Sequence, residues 1–226
     1  MKSPAPAPTL DQPTLRVAWQ AVSLLLGYPD EKLFGLLTDL RVAVSTLPAK
    51  ISVPLHQLID HLEASERSEL QSDYVNTFDT TRKCALHLTY YTFGDTRKRG
   101  VALVQFKQAY RRAGLEIGDD ELPDHLSVLC EFGAMGDVPL AWRMLNDHRV
   151  GIELLSMALA DRNSPWLAAV EALRATLPEL SGSQTEAVAK LLAEGPPTEE
   201  VGLDAYSLDP RLNPHPDADA ELIGAL

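Results

Sequence analysis

Apolar residues along most of this chain recur every three or four positions, which is the period of a helix with one buried face. The first such run extends from Leu15 to Leu26 and stops at the helix-breaking sequence Gly27-Tyr28-Pro29. Asp30 follows at a position that favours an N-cap, so a second helix is predicted directly after it. Because nearly all of residues 15–192 keep this period, the sequence predicts an all-α fold, a single helical-bundle domain.

Two further helices carry informative residues. Leu70, Tyr74 and Phe78 are spaced four apart and form one apolar stripe. A basic helix is predicted from an Asp95 N-cap to Gly114, where glycine favours a left-handed C-cap.

Two segments between these helices need separate interpretation. Residues 138–160 keep one apolar stripe and predict a single long helix, with His148 as a core residue. Residues 84–93 mix helix and strand signals and are interpreted as a short helix or an extended connector.

The two ends of the chain differ in composition from its middle. Residues 1–13 form a leader rich in proline and alanine, and residues 14–193 contain the helical pattern. From residue 194 onward, eight acidic residues and five prolines accompany a single arginine. The sequence therefore predicts a flexible leader (1–13), one all-helical domain (14–193) and an acidic, proline-rich flexible tail (194–226).

Charge and composition narrow the classes of function. The 226 residues carry a net charge of −12, which disfavours nucleic-acid binding and favours basic partners such as cationic peptides. No uncharged apolar run approaches the roughly 20 residues of a membrane span, and no export signal precedes the helices. Two cysteines are too few for a disulfide scaffold. We expect a cytoplasmic protein without membrane insertion.

Motifs of catalysis are missing from the sequence. It contains no phosphate-binding loop of the Gly-x-x-x-x-Gly-Lys type, no Gly-x-Gly-x-x-Gly and no Gly-x-Ser-x-Gly. Cys84 and His87 lie three positions apart, but a second pair of metal ligands does not accompany them. The sequence offers little basis for an enzyme.

The stretch Glu121-Leu122-Pro123-Asp124-His125-Leu126 is the most informative of the chain. Asp124 is predicted to cap the helix that follows it. His125 falls on the same side of that helix as Leu129 and Phe132. A histidine there is either a satisfied core residue or part of a recognition surface, and a neighbouring carboxylate would raise its pKa.

Arg99 is the second unusual residue. It lies on the apolar side of the basic helix, where an unpaired cation is costly, so a carboxylate partner is expected. Asp79, Glu121 and Asp124 are the candidates. The other basic residues of that helix, between Arg97 and Arg112, form either a solvated face or a surface for an anionic partner.

Several motifs in order along the chain resemble those of one protein family. The sequence is similar to the NarJ branch of the TorD-type family, the assembly chaperones of molybdenum-containing reductases. The stretches that carry this resemblance are Ser23-Leu24-Leu25-Leu26-Gly27-Tyr28-Pro29-Asp30, Tyr74-Val75-x-x-Phe78-Asp79, Gly94-Asp95-x-Arg97-x-Arg99-Gly100, Tyr110-Arg111-x-Ala113-Gly114-Leu115, Glu121-Leu122-Pro123-Asp124-His125-Leu126 and Ser164-Pro165-Trp166. The segment Thr89-Tyr90-Tyr91-Thr92 departs from the family pattern, in which a more acidic, histidine-containing stretch is expected.

The resemblance implies a TorD-like bundle that acts as a chaperone and not as an enzyme. Its partner would be the N-terminal segment of the catalytic (alpha) subunit of respiratory nitrate reductase, bound as an amphipathic helix before membrane attachment. It would assist insertion of the molybdenum cofactor, contacting this cofactor only transiently and binding no cofactor stably. A monomeric state of the chaperone is favoured. The residues assigned to the peptide-binding or signature cluster are Tyr74, Phe78, Arg99, Glu121, Asp124, His125, Leu129 and Phe132.

Two other classes of function remain open at this point. The first is a helical metal-dependent hydrolase, in which Glu121, Asp124 and His125, together with His87, would converge on a metal ion. The second is a regulatory protein that binds nucleic acid through the basic face of residues 97–112.

Overall fold

The computed structural model describes residues 7–118 and 121–195. Residues 1–6 of the predicted leader and 196–226 of the predicted tail lie outside the described residues. The described chain forms eleven α-helices. They are α1 Gln12–Leu25, α2 Glu31–Val44, α3 Ala49–Ala64, α4 Arg67–Tyr74, α5 Leu88–Phe93, α6 Arg97–Arg112, α7 Leu126–Met135, α8 Val138–Asp147, α9 Arg149–Asp161, α10 Leu167–Thr176 and α11 Gly182–Glu194. A π-helical turn (Val75–Asp79) and a 3₁₀ turn (Arg82–Cys84) join α4 to α5.

Helix α1 lies at the centre of the core and packs against α7 and α10. Its Trp19 is fully buried, and the indole N–H donates to the hydroxyl of Thr176 on α10 at 3.0 Å. Gly133 allows α7 to approach, because a Cβ at this position would lie only 2.4 Å from the Trp19 ring. The all-α prediction is confirmed, and each of the helices α1 to α10 contributes buried apolar residues to one core.

Local signals at the helix ends are mostly confirmed. The carboxylate of Asp30 accepts from the backbone N–H of Leu33 and caps α2. Gly114 has a φ of 80°, and the N–H groups of Gly114 and Leu115 donate to the carbonyls of Arg111 and Tyr110, as in a Schellman C-cap. The prediction that Asp95 caps α6 is wrong. The N-cap position belongs to Thr96, which makes no side-chain capping bond.

The single long helix predicted over 138–160 is also wrong, because the chain bends at His148 and forms two helices, α8 and α9. His148 has a ψ of 16°, and its Nδ1 lies 2.9 Å from the carbonyl oxygen of Met144. The ring is half-buried against Phe106, with 5.1 Å between the ring centroids. The apolar stripe continues through the bend, so periodicity alone does not reveal it.

The bend is followed by a buried ionic cluster that the sequence pattern does not predict. Glu153 of α9 is 4% exposed, and its carboxylate lies 2.7 Å from Nη2 of Arg149 and 2.7 Å from Nη2 of Arg174. Arg174 belongs to α10, and its Nη1 donates to the hydroxyl of Ser156. The cluster therefore ties α9 to α10 through charge.

In the described part of the chain, none of the helices combines the length and the apolar character needed to cross a bilayer.

Candidate functional site

Two short segments run side by side at the start of α5 and α7. His87 and His125 form an isolated antiparallel bridge. The N–H of Leu88 donates to the carbonyl of Asp124 at 3.1 Å, and that of Leu126 donates to Leu86 at 2.8 Å. We call residues 121–125 the signature loop. The bridge fixes the loop against the segment that precedes α5.

Asp124 is the fully buried centre of this arrangement. Its Oδ2 accepts hydrogen bonds from the backbone N–H of Thr89, at 3.1 Å, and from the Thr89 hydroxyl, at 2.5 Å. Thr89 lies in the first turn of α5, so Asp124 caps α5 and not its own helix. The prediction that Asp124 caps α7 is wrong, because the carboxylate finds donors 35 positions away in sequence.

The other carboxylate oxygen of Asp124 faces a histidine. Nδ1 of His87 lies 3.4 Å from Oδ1, at the long limit of a hydrogen bond, and the contact is poorly aligned. Burial would raise the pKa of Asp124, but the contacts with His87 and Thr89 and the charge of Arg99 together hold that pKa below its ordinary value. Asp124 is therefore a buried carboxylate that stays ionised.

His125 occupies the N-cap position of α7 that was expected for Asp124. Its Nδ1 accepts from the backbone N–H of Ser127 at 3.3 Å, which requires an unprotonated nitrogen. Burial, assisted by the nearby His87, lowers the pKa of His125 to about 4, against the opposing pull of Asp124. The expectation of a raised pKa is wrong, since removal of the ring from water outweighs the neighbouring carboxylate.

Arg99 extends the network towards the surface. Its Nε donates to the hydroxyl of Thr89 at 3.3 Å, and its Nη2 lies 3.8 Å from Oδ2 of Asp124. The expectation of a carboxylate partner is confirmed for Asp124, and a second partner, Asp95, lies 3.4 Å from Nη1. A chain of contacts therefore runs from Arg99 through Thr89 to Asp124.

The outer side of the signature loop faces a different environment. The hydroxyl of Tyr110 on α6 donates to the carbonyl of Pro123 at 2.7 Å and holds the loop from that side. Beside it opens a cavity of about 270 Å³, which we call the acid-rimmed cavity. Its apolar lining comprises Tyr110, Leu115, Ile117, Val128, Phe132 and Met135. Its acidic lining comprises Glu116, Glu121 and Glu131.

The eight predicted site residues fall into separate groups. Asp124, His125 and Arg99 belong to the buried network, whereas Glu121 is exposed and lines the acid-rimmed cavity with Phe132. The Phe132 ring packs on Tyr110, with 4.5 Å between the centroids. Leu129 is fully buried in the core behind them.

Tyr74 and Phe78 form part of an aromatic cluster elsewhere. Their rings contact each other and Trp166, with centroid separations of 4.7 to 5.8 Å. The hydroxyl of Tyr74 donates to the carbonyl of Leu26 at 2.9 Å, and the ring of Tyr28 packs against its edge. Tyr74, Phe78 and Trp166 are more than nine-tenths buried, whereas Tyr28 is about half exposed.

A second, more apolar cavity of about 170 Å³ lies between α5, α9 and α11. We call it the tyrosine cavity, and its lining includes Tyr90, Tyr91, Leu154, Met157, Leu191 and Leu192. Arg82, Lys83 and Asp161 contribute charges of both signs. It therefore lacks the uniform acidic rim of the first cavity.

The residues proposed for metal chemistry have other partners. Within residues 7–118 and 121–195, no group of three or more His, Cys, Asp or Glu side chains is placed to hold a metal ion. Asp124 is engaged by Thr89, His125 caps α7, and Glu121 lines a separate cavity. The hydrolase alternative is not favoured.

Sequence reasoning missed Thr89 and Tyr110 as residues that build the site, and it considered His87 beside Asp124 only as a metal ligand. His87 and Thr89 contact Asp124, and Tyr110 anchors the opposite side of the signature loop. Thr89 lies in the segment that departs from the family pattern. The sequence could signal only that Asp124 needs hydrogen-bond donors if it is buried, because an unpaired buried carboxylate is costly. It does not say which residues supply those donors.

A family model described as nitrate reductase delta subunit matches residues 45–172. The chain belongs to this family. The resemblance to the NarJ branch drawn from the sequence motifs is thereby confirmed.

Individual relatives agree with this assignment. The chain is 34% identical over 157 residues to the nitrate reductase-like protein NarX of Mycobacterium tuberculosis, covering 70% of this chain but only 24% of that protein. It is 31% identical over 148 residues to the nitrate reductase molybdenum cofactor assembly chaperone NarJ of Escherichia coli, covering 64% of this chain and 63% of NarJ. The candidate NarJ of Bacillus subtilis is 27% identical over 163 residues, which cover 72% of this chain and 89% of that protein.

The fold has a relative among solved structures. A crystal structure of a candidate redox enzyme maturation protein from Archaeoglobus fulgidus superposes with a TM-score of 0.54, covering 71% of this chain and 91% of that chain. The sequences are 22% identical, so this likeness shows the fold alone.

Proposed function

We propose that this protein is an assembly chaperone of nitrate reductase, which binds the N-terminal segment of the catalytic subunit while the molybdenum cofactor is inserted. The observation that carries the proposal is membership of residues 45–172 in the nitrate reductase delta subunit family. The names of relatives in Escherichia coli and Bacillus subtilis state the same assembly role for those proteins.

The geometry of the signature loop supports a binding role. Asp124 is held from inside by Thr89, and Pro123 is held from the other side by Tyr110. A loop fixed at both sides loses little conformational entropy when a partner docks against it. The side chains that reach the surface beside it are carboxylates and apolar groups, which suit recognition of a cationic amphipathic segment.

The remaining parts of the proposal concern the partner's chemistry. The cofactor belongs to the reductase, and the chaperone contacts it only transiently. It works in the cytoplasm as a monomer, and it holds the catalytic subunit back from the membrane until the cofactor is in place.

Calorimetry tests the proposal directly. The full chain is titrated with a peptide of about 15 residues from the N-terminus of the nitrate reductase catalytic subunit encoded with it, which spans about four helical turns. We expect one peptide to bind per chain, with a negative heat-capacity change from apolar burial. The matched control is a peptide of the same composition, scrambled so that it has no apolar face. Absence of binding by the native segment, or equal binding by both peptides, would contradict the proposal.

A further inference from the structure

The acid-rimmed cavity brings together three carboxylates from three separate segments. Glu116 follows α6, Glu121 belongs to the signature loop, and Glu131 is on α7. All three side chains are exposed. Within the described chain, the ion pairs involve other acids, so these three glutamates have no cationic partner of their own. Like charges around one opening repel each other, and a cationic ligand would relieve that repulsion.

The floor of the same cavity is apolar and partly open. Phe132 and Val128 of α7 lie at its base, and Met135 is 68% exposed at its edge. Exposed methionine adapts to different apolar partners because its side chain is unbranched and polarisable. The volume of about 270 Å³ is just below that of typical small-ligand pockets, so it has room for apolar anchors and not for a whole helix.

Charge distinguishes this cavity from the tyrosine cavity. The exposed arginines of α6, Arg111 and Arg112, are not among the described residues that line it. Among the described residues that line the tyrosine cavity, Arg82 and Lys83 stand beside one acid, Asp161. A cationic partner is therefore attracted more strongly to the acid-rimmed cavity than to the tyrosine cavity.

We propose that the acid-rimmed cavity is the docking surface for a cationic amphipathic helix, whose apolar side chains enter over Phe132 and Met135 while its lysines or arginines meet Glu116, Glu121 and Glu131. This placement rests on the proposed function, because the helix is the N-terminal segment of the partner subunit. The charge preference follows from the cavity itself. The affinity should fall as ionic strength rises, since the rim is exposed to solvent.

The first test uses two sets of charge-neutralising variants in the full chain. One set is Glu116→Gln, Glu121→Gln and Glu131→Gln combined. The matched control neutralises three exposed acids outside the cavity and combines Glu69→Gln, Glu171→Gln and Glu186→Gln. Both sets change the net charge equally, so a difference between them reports position. The probes are the partner segment and a designed leucine–lysine helix of about 15 residues. We expect the rim set to weaken both probes by about tenfold at low salt and the control set by less than about threefold.

The second test separates the two cavities. Met135→Lys places a cation and removes an apolar contact at the edge of the acid-rimmed cavity, and Met157→Lys makes the same change in the tyrosine cavity, where Met157 is 42% exposed. We expect Met135→Lys to weaken both probes by at least about tenfold and Met157→Lys to leave them within about twofold. Unchanged unfolding curves for both variants establish that the effect is on binding.

The outcomes distinguish this placement from the proposed function. The placement is overturned, and the chaperone role stands, if the partner segment binds but the two charge sets weaken its affinity equally. The same conclusion follows if Met157→Lys weakens its affinity more than Met135→Lys does. If the leucine–lysine helix binds and depends on the rim while the partner segment does not bind, the surface is supported and the proposed partner is wrong. If neither probe binds, both are overturned.

Discussion

Asp124 and Glu153 are both buried carboxylates, but the protein neutralises them in different ways. Glu153 lies between two guanidinium groups, each within 2.7 Å, on the facing helices α9 and α10. Asp124 accepts from the N–H and the hydroxyl of Thr89, while its cation Arg99 stays 3.8 Å away. The first arrangement is a charge clamp between two helices. The second holds a loop by directed hydrogen bonds.

The location of the two acids explains this difference. The Glu153 clamp connects α9 and α10, whereas Asp124 belongs to the signature loop, which carries Glu121 to the edge of an open cavity. Breaking the clamp should cost stability without affecting recognition. Disturbing the Asp124 network should lower both the stability of the fold and the affinity for the partner.

The largest expected effect is on the clamp. Glu153→Gln leaves Arg149, which is 5% exposed, without its counter-charge, and burial already lowers the pKa of this guanidinium. We expect a loss of about 3 kcal/mol in the free energy of unfolding, measured by urea titration, because an uncompensated buried charge remains. Peptide affinity of the folded fraction should not change. The control Asp60→Asn, in the exposed pair with Arg41, should cost less than about 1 kcal/mol.

Asp124→Asn is the corresponding change in the signature loop. The amide can still accept a hydrogen bond from Thr89 but loses the charge that faces Arg99 and His87. We expect a loss of about 2 kcal/mol in unfolding free energy and a weaker affinity for the partner segment, both measured on one preparation. The distinction between the Asp124 network and the Glu153 clamp is contradicted if Asp124→Asn and Glu153→Gln change the affinity for the partner segment to the same extent.

Thr89→Val tests whether the hydroxyl couples Arg99 to Asp124. Valine keeps the branched shape but removes the group that donates to Asp124 and accepts from Arg99. A loss of about 1.5 kcal/mol is expected in urea unfolding, since the buried carboxylate loses one of its donors. Thr89→Ser retains the hydroxyl and serves as the control. An equal loss in both variants would assign the effect to packing.

The smallest effect concerns pH. The folded-state pKa of His125, at about 4, lies below its ordinary value of 6.5, so the unfolded chain binds the proton more readily between these pH values. The contribution of the neutral His125 ring to the free energy of unfolding is complete above pH 6.5 and is lost as pH falls towards 4. We expect about 1 kcal/mol less stability at pH 4.5 than at 6.5 from this half-buried ring.

His125→Asn should remove that pH dependence, because asparagine is a good N-cap and does not titrate in this range. Asp124 acts at lower pH. Its lowered pKa contributes stability above the ordinary value of 3.8, and this is lost as pH falls through the folded-state pKa. NMR titration of the His125 ring provides the direct measurement, and a pKa above 6.5 would contradict the burial argument.

Sequence reasoning succeeded where the interaction is short in range. Asp30 caps α2 through a residue three positions away, and the left-handed Gly114 closes α6 through carbonyls of the preceding turn. The need of Arg99 for an acid was also predictable, because its helical position alone places a cation on an apolar face. Family membership followed from motifs that stand in order along the chain.

Apart from the N-cap of α6, which lies one position beyond Asp95, the errors concern contacts between segments that are distant in sequence. Asp124 was assigned to the nearest helix, but its donors come from α5. The direction of the His125 pKa was inferred from a neighbouring acid, whereas burial by distant segments decides it. The apolar stripe continues through the bend at His148 between α8 and α9 and so does not record it. The pairing of Glu153 with Arg174 depends on how α9 meets α10, which the stripe does not record either.

The sequence by itself therefore determined most of the helices, most of their ends, the single core and the family, because hydrophobic period and capping act over a few residues. Only the tertiary structure decided which side of the signature loop is buried and which side faces the acid-rimmed cavity. Burial and long-range donors set the partner of Asp124 and the pKa of His125. Those quantities depend on segments that packing brings together, and periodicity along the chain carries no information about them.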